Sequence, residues 1–538
     1  MKTQSKDHVT STNSVRTRFA PSPTGYLHIG GVRSALFNWL FSRKSGGQYL
    51  LRIDDTDQQR NVEAALAPIL HGFHWLGLQW DEGPEVGGPC APYFQSQRTA
   101  RYQAAVEQLL REGHAYYDYA TAEEMDVQRK AAEAEKRQFV YDRRFMASAP
   151  EERARFESEG RKWVVRLKMP RSGTLLLRDL VRGNVEFQWA QEADHVVQRS
   201  DGSFIYHLAS VVDDHDFGIS HVIRAEEHLS NTPRQIFILQ ALGYTLPSYA
   251  HLPYVAEPGS KRKLSKRKLD AYLKNQDFAK VHQHGSAIAA AMGMTVSAET
   301  FNPVIVDFYE QVGYLPDAIV NYLLLLGWSL DDKTEFFTRE QMIELFSLER
   351  VNPAPASFDP AKLQAFQARY MQNVPVAEKV ERCLPYLQRA GLVADPVPDA
   401  ERQRITTMVE ALGDRIKVFG DILLQARFFF GEEVPSWDEK AFVKRVLAVG
   451  AVDRLAAYRE FLAARTAFDA ASLERDTQEF VTAQGIGLGD IVHAVRVGAT
   501  GSATGPGLFD CLAILGKELC LRRLDRAIER ARSTPSVS

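Results

Sequence analysis

RFAPSPTGYLHIGGVRSALFNWL, from Arg18 to Leu40, decides the fold of this chain. Residues 15–20 read as a short strand, PSPTG as a proline-fixed turn, and Val32, Leu36 and Trp39/Leu40 recur at the spacing of one helix face. A second apolar run, Tyr49–Ile53, leads straight into Asp54, Asp55 and Asp57. Strand, helix and strand in this order predict a βαβ unit with its polar side chains at the carboxyl ends of the strands, the edge where open α/β sheets bind ligands. His28 and the Gly30–Gly31 pair fall at the helix start. Glycines let a backbone approach an anion closely, and free helix N–H groups favour negative charge there, so the geometry suits phosphate. A short His-x-Gly is by itself usually just a structural turn.

Outward from this unit the pattern changes twice. Residues 99–195 alternate charged helical stretches with the strand-like runs WVVRLKMP and GTLLLRDLVRGNVEFQW, which predicts an α/β insertion. Apolar strands resume near Asp194, so residues 15–98 and 196–345 are expected to form one catalytic domain. From 346 to 534 the periodicity is helical throughout, and residues 1–14 read as a disordered polar tail. The 538 residues exceed what one core supports. Apolar residues at 45% and charged residues at 25% are those of an ordinary globular chain, without a membrane span or secretory leader, so a cytoplasmic location is expected. Cys90, Cys383, Cys511 and Cys520 lack CxxC spacing, which argues against a disulfide framework or a cysteine-rich metal site. A net charge of −3 excludes wholesale coating of nucleic acid but not a local basic patch.

Such a patch is KRKLSKRK, Lys261–Lys268, preceded by the flexible EPGS. A charge run is usually a solvated surface; one with this setting could also close over a polyphosphate and neutralise a leaving group. Together, HIGG at His28–Gly31 and KLSKR at Lys263–Arg267 resemble the two signatures of class I aminoacyl-tRNA synthetases. Between and beyond them, LRIDDTD, LGLQWDEGPEVGGP, YFQSQR, YHLASVVDDHDFGISHVIRAEEHLSNTPRQ, GYLPDAIVNYLLLLGWS and GPGLFDCLAILGKELCLRRLDRAI resemble, in order and spacing, the bacterial type of the glutamyl-tRNA synthetase family. The resemblance spans about Thr17 to Arg530. It implies a Rossmann-type parallel-sheet catalytic domain with an α/β connective insertion, then an all-α anticodon-binding domain.

Matched motif to motif, the resemblance puts Arg18, Ala20 and Ser22 in the amino-acid pocket, Asp54 on the substrate's α-ammonium, and Tyr206 and Arg224 on the substrate side. It puts ATP on His28, Gly30, Gly31, Lys263, Leu264, Ser265, Lys266 and Arg267, with His28, Lys263 and Lys266 catalytic. A γ-carboxylate calls for forked cationic donors, which Arg18 and Arg224 supply; pairing of either with an acid such as Asp55 or Glu226 is the structural alternative. Arg415 matches an arginine used at the third anticodon base, or is a surface charge. The implied reaction joins L-glutamate to tRNA(Glu) through glutamyl-adenylate, with Mg²⁺ accompanying ATP, no zinc, no membrane partner and a monomeric enzyme. In this family activation usually waits for bound RNA, and the class implies the terminal 2′-OH as acceptor.

Two departures stand out. Asp54 replaces the family's usual Glu and is shared with the glutaminyl relatives, whose β-barrel anticodon domains the helical C-terminal half does not match. Between Arg267 and Phe308 the chain is also roughly 30 residues longer than the usual link. A tRNA-modifying paralogue would lack the last 190 or so residues, and a non-catalytic RNA-binding relative has no need of His28, Lys263, Ser265 and Lys266 together.

Overall fold

The computed structural model describes residues 14–23, 25–56, 62–137, 139–298 and 300–534, leaving out the side chains of Val62 and Glu63. The expected tail, apart from Ser14, and Asp57 of the acidic cluster lie outside the described residues. Strand β1 (Arg16–Phe19) passes through the proline loop into helix α1 (Ile29–Lys44) and returns in β2 (Gln48–Leu51), parallel to β1 with Arg16 opposite Gln48 and Phe19 opposite Leu51. Helix α1 is buried on nearly every side. Its Asn38 side chain donates to Ser34 O and to Ile223 O, while Thr17 Oγ1 donates to the Asn38 backbone carbonyl, so one asparagine ties the helix to strands on either side. Arg43 and Lys44 occupy its last turn, where a helix dipole favours cations.

A four-stranded sheet lies alongside this pair, its strand β9 (His221–Ala225) beside β1, where Ser220 N donates to Arg16 O at 3.0 Å and Arg16 N to Ser220 Oγ at 2.8 Å. Strand β10 (Ser248–Leu252) runs parallel to β9, and β6 (Thr174–Asp179) parallel to β10. The hairpin partner β7 (Gly183–Gln188) closes the edge antiparallel. The sheet is thus mixed, with a parallel centre and an antiparallel edge. Its β6 and β7 belong to the stretch that the sequence reading placed inside the insertion; the pairing of Tyr249 with Asp179 joins them to the catalytic strands. Helices α6 (Tyr206–Asp216) and α7 (Thr232–Ala241) flank β9 and bury Leu208, Val212, Ile236 and Ile238.

The rest of the insertion is a separate antiparallel sheet in the order β4 (Met146–Ala147), β3 (Ala115–Asp118), β5 (Val164–Leu167) and β8 (Val196–Gln198). Helix α3 (Thr99–Arg111) packs Tyr102, Val106 and Leu109 against Val165, Leu167 and Val197. Two short parallel strands, β11 (Val255–Ala256) and β12 (Ala356–Ser357), precede the second signature and the helical region respectively.

Contacts divide the chain into two compact units: residues 1–275, 302–307 and 316–360, and residues 276–301, 308–315 and 361–538. The second unit is helical. Its last helix, Lys517–Ser533, buries Cys520, Leu524, Ala527, Ile528 and Ala531 at three- and four-residue spacing, the stripe an amphipathic helix sets into a core. The extra segment has a structural place here: the helix Gln276–Ala291 joins this unit through His284 on Asp421 at 2.6 Å. Gly285 lies so close to Phe308 that a Cβ would meet the ring at 2.6 Å.

Candidate active site

His28 is the N-cap of α1, and its Nδ1 accepts from Gly30 N at 3.0 Å. That bond fixes the tautomer: the proton sits on Nε2, which is enclosed and meets no hydrogen-bond partner among the described residues. Burial, then the positive charges of Lys266 and Lys263, push the imidazole down to about 3, so it stays a neutral donor. Such an orphaned donor at a helix start fits a phosphoryl oxygen.

The second signature lies against the first. Lys263 bridges to Ala256 in antiparallel fashion, Leu264 is buried and donates to Val255 O at 2.9 Å, and Ser265 caps a single turn over Lys266–Lys268. Lys266 Nζ donates to Tyr26 O, two residues before His28. Lys263 is exposed and paired with Glu227; Arg267 is exposed. Gly30 and Gly31 open α1, where a Cβ on Gly30 would crowd the His28 ring at 3.3 Å.

Beside this lies a buried charge network. Arg52, fully buried, donates to Asp54 at 2.7 Å and to Asp214 at 2.7 Å, with Asp213 at 3.7 Å. Burial raises Asp54 to about 6 despite Arg52. Arg18 grips Asp214 with both ends of its side edge, Nε on Oδ1 at 3.0 Å and Nη2 on Oδ2 at 3.1 Å. Its Nη1 makes no hydrogen bond among the described residues. Asp55 and Glu226, the expected alternative partners, are engaged elsewhere: Asp55 by Ser96, and Glu226 by Arg182 and Tyr254 N. Arg224 donates instead to His251, Thr232 and the His228 carbonyl. Arg18 and Arg224 both act electrostatically on His228 and Tyr249, which places the two guanidiniums in one neighbourhood. Tyr206 opens α6 half-buried, Ala20 is half-buried and Ser22 exposed. In the helical unit, Arg415 sits exposed in a turn, with no ion pair among the described residues.

Sequence reasoning overlooked Asp214, Arg52, His251 and Asp179. The signal for Asp214 was present, since two adjacent acids in the otherwise apolar ASVVDD stretch must find cations if the helix is buried. Among the described residues no His, Cys, Asp and Glu side chains cluster as a metal site, the four thiols are unbridged, and no helix is long and apolar enough to cross a membrane.

This fold and these two adjoining signatures are those of a class I tRNA synthetase. Residues 14–300 and 277–365 match the family described as tRNA synthetases class I (E and Q), catalytic domain, and residues 378–528 match an anticodon binding domain. Glutamate–tRNA ligases of Moorella thermoacetica and Desulforudis audaxviator are 42% and 39% identical to it, covering 96% of this chain and 98% and 96% of theirs. The crystal structure of a glutamate–tRNA ligase from Elizabethkingia meningosepticum in complex with its amino acid superposes with a TM-score of 0.82 at 32% identity, over 96% of this chain and 99% of that one. The chain belongs to the glutamate–tRNA ligase family.

Proposed function

We propose that this chain activates L-glutamate with ATP and transfers it to the 3′-terminal adenosine of tRNA(Glu), as a cytoplasmic monomer. The observation that carries the reading is the seating of Lys266 on the loop before His28, whose Nε2–H is left without a partner among the described residues. A donor pair so placed matches the charge that develops on a phosphorus under attack.

In the first step an oxygen of the glutamate α-carboxylate bonds to the α-phosphorus of ATP as the bond to pyrophosphate breaks, giving glutamyl-adenylate. Catalysis is positioning and charge stabilisation. His28 donates to the phosphoryl oxygen, Lys266 neutralises the pentavalent centre, and Lys263, Leu264, Ser265 and Arg267 hold the loop over the polyphosphate. Gly30 and Gly31 give the backbone room to approach. Mg²⁺ enters as the counter-ion of ATP and supplies further neutralisation on its phosphates when bound. Asp54 takes the α-ammonium, Ala20, Ser22 and Tyr206 line the pocket, and the Nη1 groups of Arg18 and Arg224, unbonded among the described residues, face the γ-carboxylate. In the second step the RNA's terminal 2′-hydroxyl oxygen bonds to the activated carbonyl carbon, AMP leaves with the anhydride electrons, and the hydroxyl proton goes to the leaving phosphate. The insertion clasps the acceptor end, and the helical unit reads the anticodon, Arg415 facing its third base.

The test is aminoacylation of purified glutamate and glutamine transfer RNAs, each with both amino acids. Charging of tRNA(Glu) with glutamate alone is expected; preferential charging with glutamine overturns the reading. Light scattering checks the monomer.

A further inference from the structure

Three groups hold Arg224, and none of them is charged. Its Nε donates to His251 Nε2 at 3.1 Å, and its Nη2 donates to Thr232 Oγ1 at 3.0 Å and to the His228 carbonyl at 3.3 Å. His251 and Thr232 are both fully buried. On its far side His251 Nδ1 lies 2.6 Å from Asp179 Oδ2. Asp179 Oδ1 is itself fixed by three backbone donors, the N–H groups of Val181, Arg182 and His251.

These contacts permit one protonation pattern. Burial opposes ionisation of Asp179, but the bonds from His251 and Arg182 N outweigh it and hold the carboxyl below its usual range. The proton between them therefore belongs to Nδ1. Nε2 must then accept, because Arg224 Nε can only donate. A protonated ring would set N–H against N–H, and burial, against the pull of Asp179, keeps the imidazole neutral. The contrast with Arg18 matters. Asp214 neutralises Arg18 by a forked ion pair, whereas no carboxylate pairs with Arg224 among the described residues. Of the two guanidiniums, Arg224 is thus the one whose charge is left for a ligand, its Nε–Nη2 edge anchored and its Nη1 without a hydrogen bond among the described residues.

We propose that Asp179 and His251 form a positioning relay that fixes the guanidinium of Arg224, and through it the preference for a γ-carboxylate over a γ-carboxamide. The inference rests on the reading of Arg224 as an amino-acid contact. Asp179 ends β6 and His251 lies in β10, so the relay ties the selecting residue on β9 to the two strands beyond it. His251 and Asp179 are positioning residues; they act only through Arg224.

Steady-state charging by the full chain at saturating tRNA, with KM and kcat for glutamate, glutamine and ATP, tests this. His251→Phe removes the acceptor and is expected to raise the glutamate KM at least about tenfold, the worth of one charge-assisted hydrogen bond, and to lower the glutamate-to-glutamine ratio. The ATP KM should stay within about twofold, since the loss is confined to amino-acid binding. His251→Gln, whose side-chain oxygen reaches the place of Nε2, should recover most of the loss. Asp179→Asn keeps the shape, yet the three backbone donors hold its carboxamide oxygen and turn its nitrogen toward Nδ1. That forces the proton onto Nε2, against Arg224, and should reproduce the His251→Phe effect. Glutamate and ATP KM values rising together, or an unchanged amino-acid ratio in Asp179→Asn, would overturn the relay. Arg224→Ala separates the two readings: an unchanged glutamate KM there refutes the amino-acid role itself, while a raised KM there with wild-type behaviour in Asp179→Asn refutes the relay alone.

Discussion

Two side chains set the acid–base behaviour of the site. His28 lies near 3 through burial and its lysine neighbours, and Asp54 near 6 through burial against the pull of Arg52. Of these two, Asp54 is the one that changes charge near neutrality. Its ionised form is the one that can hold an ammonium, and a raised pKa means that protons compete for it already below about pH 6. Glutamate kcat/KM should therefore fall as pH drops through about 6, whereas the ATP KM stays flat because His28 remains neutral. Rate profiles of the wild type and Asp54→Asn check this, and an acid limb that survives in Asp54→Asn would assign it elsewhere. Lys266 carries the second prediction at this scale. Lys266→Ala should slow pyrophosphate exchange in the presence of RNA at least about tenfold, a modest share of what one oxyanion donor supplies, with little change in glutamate KM. Exchange at the wild-type rate would remove Lys266 from the reaction. That the segments of His28 and Lys266 belong together was legible in the sequence, because each residue sits in a short motif with its structural context beside it. The partner of Arg18 was not: Asp214 lies 196 positions away, and its apolar surroundings say that it needs a cation but not which one.

At the level of elements, legibility follows the same distance rule. The strand, turn and helix from Arg16 to Lys44 are fixed by residues that touch within a few positions, and they were readable. The membership of β6 in the catalytic sheet rests on one register point with β10, and the place of the helix Gln276–Ala291 on distant partners such as Asp421, 137 positions from His284. Periodicity reports which face is apolar, not what covers it. The C-terminal helix shows what such hidden partners contribute. Arg523 is fully buried and donates to the carbonyls of Phe428, Gly431, Glu432, Glu433 and Ala499. It pins the loop before residue 434 to the helix core by geometry, since these acceptors need a planar fork. Arg523→Met should destabilise the helical unit by about 3 kcal/mol or more, because several buried carbonyls lose their donor at once. Arg523→Lys should recover little, as one ammonium cannot span the set. Urea denaturation followed by circular dichroism measures both, and a stable lysine variant would show that charge, not the fork, is what matters.

Across the whole molecule, the cations assigned to substrates are already engaged. Arg18 is neutralised by Asp214, Lys263 faces Glu227, Lys266 is seated on Tyr26 O, and Arg224 is anchored along one edge. A ligand that draws on the paired groups must therefore exchange existing contacts for new ones, and a site of this kind responds to any ligand that favours the rearranged state. Transfer RNA is the ligand with the reach to do so, since the chain carries an anticodon binding domain over 378–528 besides its catalytic one. We expect pyrophosphate exchange with glutamate and ATP alone to be at least about a hundredfold slower than with tRNA(Glu) present, which corresponds to a differential affinity of roughly 3 kcal/mol for the competent state. RNA whose terminal adenosine lacks its 2′-hydroxyl should still switch exchange on, because activation needs the RNA's binding and not its nucleophile. The pair between Lys263 and Glu227 cannot hold the switch by itself. Both side chains are about half exposed, and such surface pairs are worth about 1 kcal/mol at most. Glu227→Gln should accordingly raise RNA-free exchange by no more than about fivefold, leaving most of the RNA dependence in place. Full exchange without RNA in the wild type would sink the proposal of a coupled site, and full relief in Glu227→Gln would move the switch from the buried arginine network to the surface loop.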